Sequence, residues 1–248
     1  VPLFSPRLIG NSAFHARRRA RHPETTVRSL IQPQVLKAAA AGAAITTLAS
    51  YPRLLLWTER PHQLWFLTLT LAWTTFILWS FVFGWSPKYA GRPVVAVRPT
   101  FRSWSAATAA GLAGVLVLGS IIDPVLRPLV PGDYPTTVES WLAFTCFILA
   151  FDQLFLCFAP FAFFLRLSRK PATAASLTVL FGVFLVYVKA RTWPGQFSSL
   201  FIIELFAWRV AAGFLSIFFF FKGGVLLNAW WILLLQFRHL IYFGAAQG

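Results

Sequence analysis

Six stretches of roughly twenty residues with few or no charged side chains decide what this chain can become. About twenty apolar residues cross a bilayer as a helix, and in hydrocarbon a helix satisfies its own backbone polar groups, as a loop or an open strand does not. The stretches are 63–86, 103–122, 140–165, 171–188, 197–221 and 223–243. The first has Trp65 and Trp85 at opposite ends, where indole rings anchor at membrane interfaces. A seventh, Ala-rich segment, 35–57, is the doubtful one, because Pro52-Arg53 is expected to break it. The sequence therefore predicts an all-α polytopic membrane protein of six or seven spans. Residues 35–248 form one helical membrane domain and residues 1–34 a basic tail or targeting remnant.

Composition narrows the function classes. The chain has 248 residues, is 58% hydrophobic and 12% charged, and carries 22 Lys+Arg against 7 Asp+Glu, for a net charge of +15. Most of that charge lies in the tail or between apolar runs, as in loops of helical membrane proteins, so a compact nucleic-acid-binding domain is excluded and no nucleic-acid partner is expected. Cys146 and Cys157 share one apolar segment three helical turns apart and cannot reach each other. No Walker loop, GxGxxG, HExxH, GxSxG or CxxC occurs. His15, His22, His62 and His239 lie in the tail or near span edges, which argues against axial haem ligation. No cofactor and no metal site is expected.

Loop charge bears on orientation. The tail to Lys37 sums to +6, 86–102 to +4, 123–139 to −2 and 166–170 to +3. This alternation favours seven spans with the tail on the cytoplasmic, stromal or matrix side. Lys189 and Arg191 on the predicted outer side weaken it, and six spans with 35–57 on the surface is the close alternative. The run Arg17-Arg18-Arg19-Ala20-Arg21 is opposed only by Glu24, and an Arg-rich, acid-poor head with a starting valine leads to the expectation of an imported, processed chain.

Candidate chemistry resides in polar residues inside the apolar runs. Asp152, Glu204 and Arg209 lie about half-way along theirs. Each costs about 2.5–3.5 kcal/mol on insertion scales, so each is expected to face a partner or a water path. An Asp152–Arg209 ion pair fixing the packing is one reading, and a proton or ion path is the other. Lys222-Gly223-Gly224 predicts a tight turn, because glycine reaches positive φ without steric penalty. Folding back there brings Arg209 and Gln236, 14 and 13 residues from Gly223, to the same depth about 20 Å from the turn. Ala207, Ala211, Ala212 and Gly213 would admit a neighbouring helix beside the arginine.

A membrane arginine among small residues on the penultimate helix, opposed by a glutamine on the last, resembles subunit a of rotary F-type ATP synthases. The resemblance covers about the last 50 residues. It implies that Arg209 separates two half-channels and discharges the carboxylates of a passing c-ring, with Gln236 as its partner. Asp152 and Glu204 are further candidates for the proton path. Separately, the Asp152-Gln153 pair, Phe181 and the Lys222-Gly223-Gly224 turn resemble the layout of CAAX-type intramembrane proteases. That family's second glutamate, arginine and histidines do not occur at the corresponding places.

The expected function is that of a subunit, in contact with other membrane subunits and lipids, of a proton-translocating complex. Its expected location is the mitochondrial inner membrane, with a thylakoid or other plastid membrane as the alternative. A non-catalytic accessory scaffold of a respiratory or photosynthetic complex, and a solute transporter, are the competing classes. No independent catalytic activity is expected.

Overall fold

The computed structural model describes residues 30–58, 60–95, 99–195 and 197–245, so the basic run at 17–21 lies outside the described residues. Every regular element among them is helical. In chain order these are α1 (Pro33–Trp57), α2 (Pro61–Ala90), α3 (Phe101–Leu129), α4 (Val138–Ser168), α5 (Pro171–Ala190), α6 (Ser199–Gln236) and α7 (Arg238–Ala245). Five helices are long and apolar enough to cross a membrane: α2, α3, α4, α5 and the stretch Ser199–Phe243.

The fifth of these folds back on itself. Gly223 and Gly224 leave the helical region, and Gly224 adopts φ 67° and ψ −159°, a conformation reserved for glycine. A straight helix would hold Phe219 and Trp231 about 18 Å apart. Their ring centroids are 5.7 Å apart instead, and Trp231 Nε1 donates to Ser216 Oγ at 3.2 Å. The glycine turn expected at 222–224 is thus formed, with residues 199–222 as the first arm of α6 and residues 225–236 as its return arm. Two bonds hold the turn to the segment after α2: Val225 N donates to Val94 O at 3.2 Å and Arg92 Nη1 to Phe221 O at 2.7 Å.

α1 differs from expectation. Pro52 was expected to break it, yet the helix continues to Trp57. A mid-helix proline removes one hydrogen bond, which lengthwise packing on α2 and α4 outweighs here. Trp79 Nε1 of α2 donates to Thr46 Oγ1 at 2.9 Å, Gly42 lies against the Trp79 ring, and Trp57 meets Phe147 of α4 at 5.1 Å. α1 runs alongside its neighbours from one end of the bundle to the other, although its Ala-rich composition leaves it outside the five apolar helices.

Wide i→i+5 turns occur at 118–122 in α3 and at 148–152 and 154–158 in α4. Two of them precede prolines, Pro124 and Pro160. A proline ring clashes with the carbonyl four residues back, here residues 120 and 156, and a wider turn moves that carbonyl aside. This is why α3 continues to Leu129, past the expected span end at 122. The turn at 148–152 has no proline behind it and ends on Asp152.

Charge divides the bundle by its ends. Around the Gly223-Gly224 turn gather the start of α1 with Lys37, the end of α2 with Lys88 and Arg92, the start of α3 with Arg102, the α4–α5 junction with Arg166, Arg169 and Lys170, and Lys222. Among the described residues no acidic side chain belongs to this end. Asp123, Asp133, Glu139 and Glu204 belong to the opposite half, where Lys189 pairs with Asp133 at 2.7 Å and Arg238 with Asp123 at 2.9 Å.

Candidate functional site: a polar cavity in the bundle interior

Two apolar clusters build the interior, one among α1, α2, α4, α5 and the turn end of α6, the other among α3 and both arms of α6. Between them lies a cavity of about 220 Å³ whose wall includes Asp152, Gln153, Thr178, Arg209, Ser216, Gln236 and Arg238. Burying that many polar side chains in an apolar bundle is costly unless they serve one another, water or a solute.

Each wall contributes by a local device. The wide turns of α4 flank Asp152 and Gln153 and rotate the helix so that both side chains meet the cavity. The α6 hairpin supplies Arg209 and Ser216 from its first arm and Gln236 from its return arm. α5 lines the cavity with Thr178 and Val179, and one turn further on Gly182 leaves room for the arginine: a Cβ there would stand 2.9 Å from Arg209 Nε and 3.0 Å from Cζ. Gly213 approaches Val179 of α5 closely, where an added Cβ would meet Val179 at 3.1 Å. The small residue next to the arginine therefore admits α5.

The structure brings three of the four candidate residues together. Arg209, Gln236 and Asp152 line one cavity, whereas Glu204, one and a half turns before Arg209, does not. Arg209 and Gln236 share a depth as the hairpin arithmetic required, but no hydrogen bond joins them. Gln236 is 5% exposed, its Oε1 is buried without a hydrogen-bond partner, and so is Arg209 Nε. Its backbone carbonyl accepts from Trp141 Nε1 of α4 at 2.9 Å. The expected Asp152–Arg209 ion pair is not formed: among the described residues the ion pairs within 4.0 Å are Lys189–Asp133 and Arg238–Asp123. A cavity of this size with several buried polar partners is a place for ordered water.

Behind the cavity α4 is tied to the return arm, where Asn228 Nδ2 donates to Gln153 Oε1 at 3.0 Å with both residues buried. Such a bond between membrane helices contributes about 0.6 kcal/mol. At the far end Asp123, 1% exposed, accepts from Arg238 Nε at 2.9 Å and from Tyr134 Oη at 3.1 Å. Arg238 Nη1 also donates to Leu235 O at 2.8 Å. Burial, and then the neighbouring Asp123 carboxylate, push the Tyr134 phenol well above its usual range.

Sequence reasoning missed Gly182 and the Asp123–Arg238 pair. Nothing in the sequence singles out Gly182 from other glycines in apolar runs. Asp123 and Arg238 each stood at a span edge as ordinary loop charges, and only the hairpin register unites them. Among the described residues no cluster of three His, Cys, Asp or Glu side chains could hold a metal. Compared with known protein families, curated proteins and solved structures, the chain matches none.

Proposed function

We propose that this chain is a membrane-embedded proton-path subunit in which Asp152 takes up and releases the proton and Arg209 is the fixed charge beside it. One observation carries the reading: a carboxylate and a guanidinium line the same polar cavity without pairing. A closed ion pair would hold the carboxylate in one state. An arginine at a distance keeps its charge at all working pH values and biases a carboxylate that remains free to cycle.

An energy-transducing complex of the subunit-a kind is the specific form of this proposal, with departures from that family in the span count, in the side on which the hairpin turn lies and in the direction of the arginine. An arginine that addresses a passing c-ring belongs on the outer face of its hairpin, with Ala207 and Ala211. Arg209 turns inward onto Gly182 instead, so this chain's own Asp152 takes the role of the carboxylate. The cations around the hairpin turn support placing that end on the cytoplasmic, stromal or matrix side, and with α1 counted as a crossing this gives seven spans. The Arg-rich, acid-poor head supports the mitochondrial inner membrane as the location.

The test starts with the tagged chain recovered from gently solubilised membranes with whatever complex co-migrates. Asp152→Asn and Arg209→Ala are then each expected to abolish proton-coupled activity of that assembled complex. Full coupling in either assembled variant would sink the proposal, and loss of assembly alone would favour the accessory-scaffold class.

A second reading rests on the Asn228–Gln153 bond. It joins the Asp152-Gln153 pair to the helix behind the glycine turn, the two pieces on which the resemblance to CAAX-type proteases rests, but without that family's catalytic groups. Such a protein would bind an apolar peptide and return it uncleaved. Its mark would be peptide binding lost in Gln153→Ala with proton coupling intact.

A further inference from the structure

Away from the polar cavity, α1, α2, α4 and the return arm of α6 enclose a groove of about 620 Å³ that no function discussed above uses. Ala38, Gly42 and Ala49 floor it on α1, Trp79 closes it on α2, and Leu149 and Leu226 complete it. Thr46, its main polar residue, is occupied by the Trp79 indole. The groove opens outward between α1 and the return arm, where Ala41, Ile45 and Leu226 are exposed. A groove this large and this apolar suits a hydrocarbon chain.

Its length and its mouth identify the occupant. From Ala38 to Ala49 it runs about 16 Å along α1, half of a hydrocarbon core about 30 Å thick, which is one leaflet. The mouth lies at the hairpin-turn end, where exposed Lys37, Arg92 and Lys222 stand one to three residues from the groove positions Ala38, Val95 and Val225. Among the described residues no acidic side chain lies at that end. We infer that this groove is a binding site for an anionic phospholipid of the leaflet on the hairpin-turn side, one acyl chain in the groove and the phosphate among these cations. The chain's own basic head would meet like charge at this mouth, and an ordinary apolar helix would leave the cations unanswered.

The experiment uses the purified full chain in mild detergent with equal phosphatidylglycerol and phosphatidylcholine of the same acyl chains, followed by native mass spectrometry. One phosphatidylglycerol per chain is expected to be retained in preference to phosphatidylcholine. Each cation near a membrane surface is worth about 1 kcal/mol toward an anionic lipid, and 1.4 kcal/mol is tenfold. Lys37→Ala with Lys222→Ala is therefore expected to lower the preference about 30-fold. Both side chains are exposed, and the one ring contact the variant removes is Lys222 Nζ over Phe218 at 5.6 Å, so it tests the site with little change in packing. Ala41→Trp, filling the groove from its open side, should remove retention of either lipid. Equal retention of both lipids by the native chain would overturn the inference. So would unchanged preference in the double-lysine variant, or a cross-link from position 41 to another polypeptide segment in place of lipid.

Discussion

The Arg209 guanidinium lies on the backbone of Gly182, so close that a Cβ at Gly182 would meet Nε at 2.9 Å and Cζ at 3.0 Å. Two helices thus fix the direction of Arg209, one of the two arginines that line the polar cavity, and the α5 position works by having no side chain. Gly182→Ala separates the arginine's position from its charge. The colliding atoms are the far end of a flexible side chain beside a cavity, so the chain yields locally. The helix itself gains about 1 kcal/mol from replacing glycine by alanine. Thermal stability is expected to hold or rise slightly while proton-coupled activity falls at least tenfold, and unchanged activity would show that the guanidinium's placement is immaterial.

The hairpin depends on Gly224. Its φ of 67° with ψ of −159° is a region closed to side-chain-bearing residues and costs them about 1–3 kcal/mol. Gly223 has an ordinary φ of −149°, but a Cβ there would stand 2.6 Å from Leu227 Cβ and 3.0 Å from Pro99 Cγ. Gly224→Ala is expected to lower unfolding free energy in detergent by that range. Gly223→Ala should also destabilise, through packing against Leu227 and the segment before α3. A Gly224→Ala variant as stable as the native chain would place the strain elsewhere.

How much of this was legible in the sequence follows from which forces are local. The apolar runs marked α2 to α6 because bilayer thickness sets their length, and Lys222-Gly223-Gly224 marked the turn because a pair of glycines permits a backbone conformation, here that of Gly224, closed to other residues. From that turn, residue counting alone put Arg209 and Gln236 at one depth. What counting does not give is azimuth. Whether Asp152 closes on Arg209 or merely shares its cavity depends on the wide turns around residue 152, and the turn at 148–152 has no residue signature. Pro52 misled for the related reason that a proline's local cost is visible and the packing that outweighs it is not. Glu204 lies off the cavity because mid-span position says nothing about which face a residue occupies.

The Asp123–Arg238 pair joins the start of α7 to α3 at the far end of the bundle. Both groups are largely withdrawn from water, with Asp123 1% exposed. Removing one partner leaves the other buried and unpaired, which costs about 3–5 kcal/mol, whereas removing both costs less than the sum. Asp123→Ala and Arg238→Ala are each expected to show that loss in thermal or denaturant unfolding, and the double variant to recover part of it. Strict additivity would mean that the two charges do not depend on each other.

Tyr134 extends this cluster and gives it a pH dependence of definite sign. Its phenol donates to Asp123 Oδ1 at 3.1 Å, and burial and then the carboxylate hold its pKa above the ordinary value near 10. Above that pH the unfolded chain releases the phenol proton while the folded chain retains it, so the folded state binds more protons and stability falls as pH rises. Below about pH 10 the contribution is complete. Tyr134→Phe removes both the hydrogen bond and the titration. At neutral pH it is expected to cost about 1 kcal/mol. The gap in melting temperature between native and variant chains should then narrow as pH climbs past about 10, because only the native chain has this proton to lose. A gap that stays constant through that range would mean that Tyr134 titrates alike in the folded and unfolded chain, and that the hydroxyl is not held against the Asp123 carboxylate.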